Sequence, residues 1–144
     1  MKKIIQLSFI PVNTDVALLV LRVGLGIGIF LNHGIEKFVN FSQMQQHFPD
    51  PVGIGSTASL LFALIADGIC SILIIFGLFT RLAALFSAIN LFAAFAFLFK
   101  FSLSKPPAEI AFVYLGGCIA ILLAGAGKYS IDQKLKMVQT YFLS

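Results

Sequence analysis

The sequence predicts an all-α membrane protein, a four-helix bundle followed by an interfacial amphipathic C-terminal helix. Three observations carry that prediction. Hydrophobic residues make up 59% of the 144 positions and charged residues 11%, whereas roughly a quarter of a soluble domain is charged. The mean hydropathy is +0.99. The apolar residues also gather into four runs of roughly 20, the length a helix needs to cross a hydrocarbon core about 30 Å thick. Those runs and their short connections leave little room for a soluble domain, so a single domain over residues 1–144 is expected, with its chemistry in or beside the bilayer. The net charge of +4 does not point to nucleic acid, because the cations stand at segment ends, where they orient spans and meet headgroups.

The opening stretch, Met1 to Asn13, carries Lys2, Lys3 and Pro11. With no small-residue cleavage site after a short core, it reads as a retained cytoplasmic arm. A first span is predicted at about 14–38, capped by Asn13 or Thr14 and opened by Asp15. The following FSQMQQHFPDPVGIGS, with Pro49, Pro51, Gly53 and Gly55, forbids a regular span and is expected to be a loop with at most a short interfacial helix. A second span at about 57–79 and a third at about 81–99 are joined so tightly that they must form an antiparallel hairpin. Pro106 and Pro107 suit the first turn of a fourth span at about 107–124. After two glycines the chain restarts at about 130–143, where Ile131, Leu135, Val138 and Phe142 mark one apolar face of a helix lying on the membrane surface.

With four spans both termini share a side. Lys2, Lys3, Arg81, Lys128, Lys134 and Lys136 lie there, against Lys37, Lys100 and Lys105 opposite, which predicts that both termini are cytoplasmic.

The candidate functional residues are the polar ones that the spans cannot avoid. Asp67 lies about 15 Å along the second span, near mid-membrane, where a bare charge costs several kcal/mol. It must be protonated, paired or turned toward other helices. Arg22, Gly26, Ile29, His33 and Lys37 follow helical steps of 3 and 4, and at 100° per residue Arg22 and His33 lie only about 20° apart. A long arginine is therefore expected to bridge toward Asp67, either as an ion pair that fixes the register of two helices or as part of a ligand or proton site. His33, Glu36, Lys37 and Glu109 are expected at the opposite end, near the loop bearing His47 and Asp50. His33 is either an interfacial histidine held by its neighbours or a proton donor and acceptor. Glu109 either complements the positive start of the fourth helix or joins the site. Cys70 and Cys118 sit in apolar sequence without a C-x-x-C and read as packing residues. Two histidines without clustered spacing indicate neither haem nor another metal.

Three motifs stand in order: HGIEKF at 33–38, the acid and glycine of Asp67 and Gly68 followed by FGLFTRLAAL at 76–85, and AGAGKYSID at 124–132. Together they resemble the DoxX family of small four-helix membrane proteins, over roughly Leu18 to Asp132. Two departures stand out. Asp67 occupies a position where the family pattern has glutamate, and Lys128 one where it has arginine, losing a bidentate donor but keeping the charge. The resemblance marks Gly77, Thr80, Arg81, Gly125, Gly127, Lys128, Tyr129 and Asp132 as structural motif residues. It implies a quinone-linked oxidoreductase subunit of the bacterial inner membrane. In that reading His33 and Asp67 are the candidate catalytic groups, and Arg22, Lys37, Asn90 and Glu109 the candidate ligand-binding ones. The chain supplies no redox centre of its own, so enzymatic activity would require a redox partner subunit or a bound cofactor. A polar stripe within apolar walls fits equally a non-enzymatic membrane protein that binds or transports a lipid-like molecule, or a scaffold for redox-stress proteins. Small residues such as Gly116 and Gly117 would also permit a homo-oligomer.

Overall fold

The computed structural model describes residues 11–104 and 106–143. The expected N-terminal arm with Lys2 and Lys3, the cation Lys105 and the side chain of Phe142 lie outside the described residues. The helices are α1 (Thr14–Val39), the short α2 (Phe41–Met44), α3 (Ser56–Phe76), α4 (Thr80–Leu98), α5 (Pro106–Ala124) and α6 (Ile131–Leu143). Among them α1, α3, α4 and α5 are long and apolar enough to cross a membrane, so this is a multi-pass membrane protein.

Each boundary has a local cause. Asn13 caps α1, its side-chain oxygen accepting the Val16 N–H at 3.1 Å. Helix α3 stops at Phe76, three residues earlier than the hydropathy alone suggests. Gly77 there adopts φ +70°, and the Leu78 N–H returns to the Leu73 carbonyl at 3.0 Å, closing a Schellman turn. Four residues later α4 runs antiparallel to α3. Sequential spans touch, and α5 also closes back on α1, giving an up-down-up-down ring.

Ile29, Ile74, Ala84, Cys118 and Ile121 fill the axis of the ring and are buried. Both cysteines are free and buried there, in an apolar cluster of Leu, Ile and Ala side chains. The outer faces carry large exposed apolar residues such as Val20, Phe76 and Leu123, which is the pattern of helices surrounded by lipid.

Two of the four spans are interrupted by a single π-turn, Phe30–Gly34 in α1 and Ile65–Ile69 in α3, and α4 ends in a third, Ala94–Leu98. A π-turn adds a residue to one helical turn and rotates everything beyond it. In α1 the buried stripe accordingly runs through Arg22, Leu25, Gly26 and Ile29 and resumes at Gly34 and Lys37, not at His33. The simple stripe expected from 100° steps therefore breaks in the middle of the span. The π-turns of α1 and α3 lie against each other. A Cβ on Gly34 would stand 2.7 Å from the Asp67 carbonyl oxygen, so only glycine lets the two backbones approach this closely.

The carbonyl groups released around the α3 π-turn have partners, as a bilayer requires. Ser71 Oγ donates to the carbonyls of Asp67 at 2.6 Å and Gly68 at 2.7 Å. Ser87 Oγ reaches from α4 to the Ala66 carbonyl at 2.9 Å. Each hydroxyl is fully buried.

Candidate functional site

The polar residues separate into two clusters at opposite ends of the bundle. At the end shared by the start of α1 and the start of α6, Arg22 is completely buried. Its Nη1 donates to the carbonyls of Ile74 at 3.1 Å and Ile75 at 3.2 Å, and its Nη2 to the carbonyl of Tyr129 at 2.6 Å. The guanidinium thus neutralises the last carbonyls of α3 and ties them to the stretch between α5 and α6.

Asp132 completes this junction. Its carboxylate accepts the N–H groups of Phe79 at 2.8 Å and Thr80 at 2.9 Å, and its own N–H donates to the Gly77 carbonyl at 2.9 Å. One side chain from α6 therefore caps the N-terminus of α4, where Phe79 holds a left-handed φ of 47°. Burial pulls the Asp132 carboxyl upward, but the Thr80 and Phe79 N–H groups and Lys136 outweigh it and hold the group below the ordinary carboxylate range. Gly77 has no room for a side chain, since a Cβ would run into Arg22 and lie 2.6 Å from Ser130 Cβ.

The other motif residues belong to the same junction. Gly125 and Gly127 take positive φ angles that turn the chain out of α5. Lys128 uses its main chain, its N–H donating to Asp15 Oδ1 at 2.9 Å, while its exposed ammonium stands 3.5 Å from Asp15 Oδ2. The lysine that departs from the family pattern therefore keeps the backbone bond that any residue could make. Arg81 Nε donates to the Leu122 carbonyl at 2.8 Å. In this geometry Gly77, Thr80, Gly125, Gly127, Tyr129 and Asp132 fasten the ends of α3, α4 and α5 to the stretch that leads into α6, while Arg81 is held through Nε and Lys128 mainly through its main chain, both with exposed side chains.

At the opposite end Asp67 is buried, but its partner is not Arg22. Lys37 Nζ lies 2.9 Å from Asp67 Oδ2, and Asn90 Nδ2 donates to Asp67 Oδ1 at 3.0 Å. The expected Arg22 bridge is thus corrected. Arg22 faces the carbonyl end of α3, while Lys37, which charge counting assigns to the interface, folds its four-carbon stem inward. Its ammonium also donates to the His33 carbonyl at 3.2 Å. Both π-turns serve this contact, since that of α3 carries Asp67 and that of α1 ends just before the turn bearing Lys37.

Beside these groups lies a cavity of about 400 Å³, within the range of small-molecule sites. His33, Lys37, Asp67 and Asn90 supply its polar side. Its walls are apolar, from Phe62, Ile89 and Leu98 of the spans to Phe48, Pro49 and Val52 of the loop before α3. That loop is pinned by Asp50, whose carboxylate accepts the N–H groups of Ile54 at 3.0 Å and Gly55 at 2.7 Å and the Ser59 hydroxyl at 2.8 Å. The Gly55 N–H and the Ser59 hydroxyl hold the Asp50 carboxyl below the ordinary range. The sequence alone assigns Asp50 no role; its place three residues before Gly53 and five before Gly55, ahead of a span, is the available signal.

His33 is half-buried and packs edge-on against Tyr114 of α5, with ring centroids 6.1 Å apart. Glu109, expected in the internal site, is exposed in the first turn of α5 and does not line the cavity. Its position fits the dipole reading alone. Of the candidate residues, His33, Lys37, Asp67 and Asn90 come together; Arg22 and Glu109 do not join them.

A family model described as DoxX matches residues 17–100, which include every one of these four cavity residues and exclude the Gly125 to Asp132 motif. No curated protein and no solved structure matches the chain.

Proposed function

The chain belongs to the DoxX family, and on that premise we propose that it is a quinone-linked membrane oxidoreductase subunit whose cavity holds the quinone headgroup. The observation that carries this reading is the cavity itself: about 400 Å³ of mostly apolar space with one ion pair, one amide and one imidazole on a single side. Flat apolar walls suit a substituted ring. Ile89 and Leu98 border the space yet are exposed positions of a span, so an apolar molecule reaches it from the bilayer.

The polar side has distinct tasks. Asp67 has each oxygen engaged, by Asn90 and by Lys37, so the carboxylate orients both donors. His33 keeps its ring free of hydrogen bonds among the described residues and offers one to a carbonyl oxygen. Lys37 and Asp67 are a proton-holding pair within reach of the same space. A quinone accepts two electrons and two protons; in this reading the electrons come from a redox partner subunit, and His33 with the Lys37 and Asp67 pair holds protons for the ring oxygens. In this reading the protein belongs to a bacterial inner membrane, and the excess of lysine and arginine on the side of the termini supports a cytoplasmic position for both.

The test is mass spectrometry of organic extracts from the purified protein, beside His33→Gln and the double variant Lys37→Met with Asp67→Leu. A quinone retained by the wild type and lost from both variants is the expected result. Retention of another lipid class would make the chain a carrier of that lipid, and equal retention by all three proteins would remove the cavity from the function.

A further inference from the structure

At the far end from this cavity, a groove of about 750 Å³ runs between α6 and the ends of α4 and α5. Arg81, Lys128 and Lys136 line it, together with Asp15 and Asp132. The two carboxylates are already committed, Asp132 to two N–H groups and Asp15 to the Lys128 main chain and, loosely, its ammonium. Apart from the long contact of Lys128 with Asp15, the cations are not. Arg81 is held by its Nε on the Leu122 carbonyl, and among the described residues its two Nη groups make no hydrogen bond and no carboxylate comes within ion-pair distance. Lys136 likewise has no ion pair among the described residues, and the Lys128 side chain is 79% exposed. A guanidinium fixed through Nε presents the parallel donors that a phosphate accepts.

The same groove is flanked by apolar surface. Leu82 in the first turn of α4 and Leu123 in the last turn of α5 line it and are exposed, both within spans. A soluble phosphate would use only the cationic half. A molecule with a phosphodiester at one end and hydrocarbon at the other uses both.

We propose that this groove is a binding site for an anionic phospholipid, with the phosphodiester on the Arg81 fork, Lys128 and Lys136 around the headgroup, and the acyl chains along Leu82 and Leu123. The extra cations favour a lipid of net negative charge over a zwitterionic one. The site is independent of the quinone reading, since it shares no residue with the cavity.

The experiment titrates detergent-delipidated full-length protein with phosphatidylglycerol, phosphatidylcholine or inorganic phosphate and follows the melting temperature. Phosphatidylglycerol is expected to raise it at concentrations where phosphatidylcholine and phosphate do not. The titration midpoint should weaken by about fivefold for each cation removed in Lys128→Gln and Lys136→Gln, both exposed and dispensable for packing. Arg81→Lys, which keeps the charge but loses the fork, should weaken it further than either. Equal shifts with the two lipids, or an unchanged midpoint in the double lysine variant, would overturn the proposal. An equal shift with inorganic phosphate would overturn the lipid assignment in favour of a soluble phosphate.

Discussion

Both ends of the bundle bury a cation, yet the two burials have opposite characters. Arg22 is surrounded by backbone carbonyls of α3 and of the stretch after α5, and no cavity of the site adjoins it. Lys37 meets a carboxylate that in turn meets an amide, and all three border open space. A buried charge whose terminal nitrogens are held by main-chain carbonyls alone is a way to fasten helices. A buried charge pair facing a cavity of about 400 Å³ is a way to meet a ligand. The difference separates architecture from chemistry more sharply than burial alone, because Arg22 and Asp67 are buried almost equally.

The largest effect is expected at the fastened end. Arg22→Leu removes the side-chain donor of the Ile75 and Tyr129 carbonyls and one of the two donors of the Ile74 carbonyl, and lost bonds at about 1–3 kcal/mol each bring the loss to about 3 kcal/mol. Thermal melting in detergent should show a protein that is largely unfolded or strongly destabilised. Removing Asp67 at the same time should restore nothing; recovery in that double variant would mean that the two charges are coupled after all.

At the cavity end the rescue should succeed. Asp67→Asn leaves the Lys37 ammonium buried without its counter-charge, a loss on the order of 3 kcal/mol. Combining Lys37→Met with Asp67→Leu removes both charges, and replacing a buried pair by apolar side chains is often close to neutral. The double variant should regain its melting temperature while still failing to retain ligand. If it regained both, the pair would be as architectural as Arg22.

Gly34→Ala tests how the cavity end is assembled. The new methyl meets the Asp67 carbonyl at 2.7 Å, which pushes the two π-turns apart at a cost of about 1–3 kcal/mol. Ligand retention should fall with stability, because the displaced backbone carries Asp67. A variant that melts early but retains ligand fully would show that the close approach of α1 and α3 does not shape the site.

These contrasts also explain which parts of the molecule were legible in the sequence. Four apolar runs, the Asn13 cap and the glycine-rich restart before α6 follow from hydropathy and backbone preference, and the structure has all of them, with α3 ending three residues early at the Gly77 turn. The partner of Asp67 does not follow, for two physical reasons. Steps of 100° assume an uninterrupted helix, and the π-turns at 30–34 and 65–69 rotate the distal halves of α1 and α3. Charge counting treats a terminal lysine as interfacial, whereas Lys37 folds back along its own helix to reach the acid. Ser71 and Ser87 show only that hydroxyls inside apolar spans need carbonyl partners, which Ser71 finds on its own helix and Ser87 on α3. Asn90 came into place for the same reason that an amide in a span must have a partner.

The smallest effect is expected from acid, and it distinguishes the two ends by variant. Asp132 has a native pKa below its ordinary value of 3.8, so the stabilisation it gives is complete above that value and is lost as pH falls through the lower native one. Asp50, also depressed from 3.8, obeys the same sign at the cavity end. Protonation of Asp132 frees the N–H groups of Phe79 and Thr80, and amide exchange should rise at the start of α4 and in α6. Protonation of Asp50 frees Ile54 and Gly55, loosening the loop over the cavity, so ligand retention should fall over the same acid range. Asp132→Asn should remove the first dependence and leave the second, and Asp50→Asn the reverse. If Asp132→Asn also abolished the pH dependence of ligand retention, the two ends would be one cooperative unit, and a fastening at one end could not be separated from a site at the other.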